Sequence, residues 1–197
     1  MRIHHGVAAA LLLLTAATGC SPTPRSPERN QPAMDMQQGA DQADTILGRT
    51  LAAISPELRW LHGPSTDASC EDDGDAPKGT GTVNRRIQIQ TVVSPARRAG
   101  LLGMVERDWR SRGYTITNVN THERFPSVVA STPDHFSLEV SVGGEGQFFF
   151  GATTPCLTRT PVATPTTQPN TPERPGQYPL RPRIHDDFWS ATAPVRT

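Results

Sequence analysis

The chain of 197 residues carries 19 basic and 19 acidic side chains and no net charge, which excludes a strongly cationic nucleic-acid binder and an acidic tail protein. Its 19 Pro and 16 Gly, 35 of 197 residues, exceed ordinary usage of roughly 12% but fall short of a wholly disordered chain. The prolines gather toward the ends, so only the middle, about 120 residues, is expected to build a core.

The N-terminus reads as an export signal over residues 1–19: Arg2, then an apolar run from Val7 to Ala17 with Leu11, Leu12, Leu13 and Leu14, then Ala17-Thr18-Gly19-Cys20. The run has about half of the ~20 apolar residues that a membrane-crossing helix needs. Small residues directly before a cysteine resemble the lipobox of bacterial lipoproteins. That resemblance implies diacylglycerol on the Cys20 thiol, fatty acylation and cleavage that leaves Cys20 as the new N-terminus. Ala17 stands where lipoboxes usually carry Leu, and Ala17 with Gly19 also satisfies an ordinary signal peptidase site. The other cysteines are Cys70 and Cys156. In an exported chain, one lipid-bearing Cys20 and one Cys70–Cys156 disulfide account for all three sulfurs.

Residues 20–40 contain Pro22, Pro24, Pro27 and Pro32 without apolar periodicity and are expected to form a lipid-anchored, disordered linker. The folded domain is expected over residues 41–157. Asp44 can cap a helix carrying Ile46, Leu47, Leu51 and Ile54, which Pro56 ends. Val83 to Val93 alternates Val83, Ile87, Ile89 and Val93 with Asn84, Arg86, Gln88 and Gln90, the pattern of a half-buried strand. Ser94-Pro95 opens a second helix, Gly113 closes it, and Leu101, Leu102, Val105 and Trp109 share one face. Extended segments follow at Tyr114–Ile116, Ser127–Ser131, Phe136–Val142 and through Phe148 and Phe150, with a turn at Gly143–Gly146. This order predicts an α+β fold: an antiparallel sheet of about four to five strands with two helices on one face. A Cys70–Cys156 bridge requires the first and last strands to be neighbours or nearly so.

Residues 158–197 hold eight prolines, from Pro161 to Pro194, and are expected to be a disordered Pro/Thr-rich tail with chance P-x-x-P spacings. Ile184 to Trp189 interrupts it with apolar residues, read as fold-back or simple disorder ahead of a partner-binding peptide.

A lipobox, a polar spacer, a cysteine ahead of a strand, Arg112-Gly113-Tyr114 after a helix and Thr154-Pro155-Cys156 after a strand together resemble small lipoproteins of high-GC Gram-positive (actinobacterial) bacteria. Lys78 alone against 18 Arg agrees with GC-rich coding. The resemblance covers residues 1–157, implies a protein of the cell envelope and carries no catalytic motif.

Chemistry-bearing residues are sparse. Glu71, Asp72, Asp73 and Asp75 surround Gly74, but an EF-hand alignment puts Thr80 where a bidentate Glu belongs, so this reads as a solvated loop. His122-Glu123 opens like a zinc-protease helix, then runs into Arg124-Phe125-Pro126. His62 and His135 have no spaced companions. Arg85, Arg86, Arg97, Arg98, Arg107, Arg110 and Arg112 read as a solvated face, with Arg98 and Arg112 lying along apolar surface, ahead of a site for lipid headgroups or an anionic wall polymer. The expectation is a lipid-anchored binding or scaffold module on the outer face of the cytoplasmic membrane, with an envelope protein or wall polymer as partner, no cofactor, no metal and no nucleic acid. The alternative is a small extracytoplasmic hydrolase using His122, Glu123 and His135.

Overall fold

The computed structural model describes residues 33–70 and 78–193. Cys20, the export signal and the acidic stretch 71–75 lie outside the described residues. The fold is α+β, with two helices and an open antiparallel sheet of eight strands among the described residues.

Helix α1 is Met36–Ala52, not a helix begun at Asp44. Asp35 caps it: the Asp35 carboxylate accepts the Gln38 N–H at 2.9 Å, and Gln38 Oε1 accepts the Asp35 N–H at 3.0 Å. Residues 36–40, assigned to the spacer by composition, are therefore the first turn of the domain. Their inward residues are Met36, Gly39 and Ala40, and two of the three carry little apolar signal because a strand packs close; a Cβ at Gly39 would overlap Leu157 Cδ1.

Strands β1 (Trp60–His62), β2 (Thr66–Ser69) and β3 (Thr80–Ile89) precede helix α2 (Pro95–Ser111). Strands β4 (Thr115–Asn120), β5 (Ser127–Ser131), β6 (Ser137–Val142), β7 (Phe148–Thr153) and β8 (Leu157–Thr158) follow. The main order is β1-β3-β7-β6-β5-β4, with β2 and β8 also on β3. The sheet exceeds the expected four to five strands because β1, β2 and β8 have only three, four and two residues, too few to show a period of two. Each borrows its partner from the ten-residue β3.

Register explains the core. Val128, Val140, Phe150 and Ile87 lie opposite one another across β5, β6, β7 and β3, and Ala130, Leu138, Ala152 and Arg85 form the next row. The apolar members pack in one cluster with Ala43, Leu47 and Leu51 of α1 and Leu101, Leu102, Val105 and Trp109 of α2, so both helices cover one face. Trp109 Nε1 donates to Thr50 Oγ1 at 3.0 Å, linking the helices at the base of the core. Ser94 stands at the N-cap of α2, but its hydroxyl donates to the Ala191 carbonyl. Gly113, at φ +77°, turns the chain out of the helix.

Because β3 and β7 pair directly, Cys70 and Cys156 are brought together and form a disulfide, with Cα atoms 6.1 Å apart.

The C-terminal segment is not a disordered tail over its described length. After β8 it crosses the β1 end of the sheet, where Trp60 N–H donates to Asn170 Oδ1 at 2.8 Å. It continues over the opposite face of β3, setting Tyr178 against Phe149 and meeting Gln88 at Leu180. Ile184 then exchanges main-chain hydrogen bonds with Gln90 and Val92, and Trp189 enters the core, 1% exposed, donating its indole N–H to the Pro56 carbonyl at 2.8 Å. Gln88 and Gln90, expected on a solvated face, are buried beneath it. Ile184–Trp189 thus folds back onto the domain.

Candidate functional site

A surface bearing expected site residues lies between the N-terminal half of α2 and the end of β4. A cleft of about 410 Å³ opens there. Ala99 and Leu102 of α2 wall one side, Val119 and Val128 supply the floor, and Pro126, His122 and Glu123 close the end. The volume lies within the range of small-ligand sites, which are mostly apolar with a few polar groups.

Polar groups at the cleft are unevenly committed. Glu106 accepts from Arg110 at 2.7 Å. Asn120 is used in the β4–β5 turn, donating to the Phe125 carbonyl and accepting the His122 N–H. His122 Nδ1 accepts the N–H groups of Arg124 and Phe125, both at 3.1 Å, and its ring stacks on Phe125. The imidazole therefore shapes the turn. Arg98 is the exception: its buried Nε has no hydrogen-bond partner, and it makes no ion pair among the described residues. Burial holds its guanidinium below the usual arginine range.

His135 is absent from the cleft. It sits in the β5–β6 turn, its N–H donating to Thr132, at the opposite end of the five-residue β5 from His122. At ~3.3 Å per residue, the strand separates the two imidazole-bearing turns by roughly 16 Å. The hydrolase grouping of His122, Glu123 and His135 is therefore not assembled. Among the described residues no three His, Cys, Asp or Glu side chains gather as metal ligands would, and no helix is long and apolar enough to cross a membrane.

The arginine cluster disperses on folding. Arg110 and Arg112 pair with Glu106 and Asp108 one turn away. Arg97 is buried over the Phe188 ring, 4.8 Å from its centroid, and donates to the Phe188 carbonyl. Arg85, standing at an apolar place in the β3 alternation, is 1% exposed with Nε 3.3 Å from Asp44 Oδ2. It also donates to Ser65 Oγ and to the Ala163 carbonyl, while His62 Nε2 lies 2.7 Å from the Thr167 carbonyl. This group pins the first stretch of the C-terminal segment to the helix side of the sheet. No sequence signal pairs Asp44 with Arg85, because their meeting depends on how α1 lies over β3.

Burial raises the Asp44 pKa above its ordinary 3.8, outweighing the opposing attraction of Arg85 and His62; Asp41 raises it further. A carboxyl shifted in this direction contributes most below about pH 3.8 and loses that contribution as pH rises through the raised value. Stability of the native chain is thus expected to fall relative to Asp44→Asn over that rise, as read from urea unfolding at successive pH values. Replacing Arg85 by Met strands a half-buried carboxylate and is expected to cost about 3 kcal/mol at pH 7, with Asp44→Leu restoring most of it. An Arg85→Met loss within experimental error would show that the pair contributes nothing.

No protein-family model, curated protein or solved structure matches this chain.

Proposed function

We propose that this chain is an exported, lipid-anchored envelope protein of the actinobacterial lipoprotein type, whose α+β domain binds a partner at the outer face of the cytoplasmic membrane. The observation that carries the reading is the bond between Cys70 and Cys156. It presupposes an oxidising compartment and leaves Cys20 as the single remaining thiol, directly behind an apolar run and small residues. Two acyl chains hold a protein at a bilayer stably where one is marginal. The four prolines between Cys20 and the domain have the composition of a spacer, which would set the domain within reach of an envelope protein or wall polymer.

A cleft with apolar walls and an Arg98 that has no ion-pair partner among the described residues suits binding, and its His122 is engaged by the turn backbone while His135 lies at the far end of β5. The anchor is tested by feeding cells an azido fatty acid. Label is expected on the native chain and absent from Cys20→Ala, which should also leave the membrane fraction. Equal label in both would remove the anchor. The binding role is tested by crosslinking on intact cells; recovery of no specific partner, protein or wall polymer, would count against it.

A further inference from the structure

The sheet has two edges, and the chain treats them differently. At the β1 side, residues 159–193 give main-chain or side-chain partners to Trp60, Gln88, Gln90 and Val92. At the other side, β4 ends the sheet with no strand beside it among the described residues. The two large hydrophobics most exposed among the described residues belong to this hairpin: Val119, 45% exposed, and Phe125, 42% exposed.

An open strand edge presents a row of N–H and C=O groups whose natural complement is another extended backbone. The register break between Ile116 and Asn118 disrupts the first half of β4 and leaves Asn118–Asn120, the half bordering the cleft, in regular pairing with β5. A strand laid along that half would turn every second side chain toward Val119, Ala99 and Leu102. Arg98 borders the same space without an ion-pair partner among the described residues, so a carboxylate there would gain a charge-assisted hydrogen bond. Glu106 is already held by Arg110, and Glu123 stands at the turn end, so an added carboxylate is favoured on the α2 side.

We propose that the β4 edge and the cleft beneath α2 receive an extended segment of a partner polypeptide, which adds as a strand to β4, places apolar side chains at alternate positions in the cleft and presents a carboxylate to Arg98. The inference rests on the reading of the domain as a binding module and names its partner by chemistry. A small amphiphile could fill the cleft but would leave the strand edge unpaired.

The probe is a displayed library of random octapeptides selected on the full chain. Enriched sequences are expected to carry apolar residues two apart and an Asp or Glu. In a synthetic copy, backbone N-methylation should weaken binding at every second position, by about tenfold. Ala99→Trp, which fills the cleft, and Val119→Lys, which charges the edge, should each weaken binding similarly. Both positions are exposed, so the unfolding midpoint should stay near that of the native chain. Arg98→Gln should weaken the acidic peptide and leave its amide analogue unchanged. No enriched motif, uniform tolerance of N-methylation, or unaltered binding in the cleft and edge variants would overturn the proposal. So would self-association abolished by Val119→Lys, which would make a second copy the occupant. On cells, a specific crosslinked partner that persists with Val119→Lys would remove this site while leaving the binding module intact; no specific partner for the native chain would remove the module itself.

Discussion

Substituting Trp189 with Ala is expected to lower the free energy of unfolding by about 4 kcal/mol, a large part of the total for a small domain. The indole is 1% exposed, packs within the main core and donates to the Pro56 carbonyl. Its removal deletes a large apolar body and leaves that carbonyl without its partner. The effect should extend beyond the cavity, because Trp189 anchors the end of the segment that buries Gln88 and Gln90. Phe188→Ala, at a half-buried position, should cost less, about 1 to 2 kcal/mol, part of it the lost stacking of Arg97. Urea unfolding followed by circular dichroism measures both. A Trp189→Ala loss below about 1 kcal/mol would mean that the C-terminal segment adds little to the fold.

Removing the disulfide with Cys70→Ala and Cys156→Ala together should cost about 4 to 5 kcal/mol, the chain-entropy value for a closed loop approaching 90 residues. The bridge ties the strand pair β2–β3 to the chain leaving β7, so its loss releases β8 and the start of the C-terminal segment first. Reductant should lower the melting temperature of the native chain by the same amount as the double substitution and leave the double variant unmoved. Equal melting of reduced and oxidised native chain would show that the bridge contributes no stability.

The long elements could be read from local pattern. Alternation marked β3, β6 and β7, and Ser94-Pro95 with Gly113 bounded α2 to within a residue or two. In each case the residue's own neighbours in sequence carry the signal, at a period of two or 3.6. The cleft was legible only in fragments: Leu102 belonged to the expected buried face, and His122-Glu123 stood out as a dipeptide, but nothing local says that the end of β4 lies beside the start of α2.

The C-terminal segment marks the boundary most clearly. Its prolines exclude helix and central strand, and that inference holds, since apart from the two residues of β8 its described part contains no regular element. Order does not follow from regularity alone. A chain without internal ladders keeps its N–H and C=O groups free, and here they are taken up by Gln88, Gln90 and Val92. Arg85 makes the same point: alone on an apolar face it looks misplaced, and it is accommodated only because Asp44, Ser65 and Ala163 arrive from three other parts of the chain. The amino-acid sequence by itself determined the α+β class, the long strands and the second helix, because these follow from short-range periodicity; the choice of Cys70 and Cys156 among three thiols rested on reading Cys20 as the lipid-bearing one. Only the tertiary structure decided which edge is covered, that Arg98 borders the cleft without an ion-pair partner among the described residues and where the last tryptophan goes, because each is fixed by contacts between residues far apart in the chain.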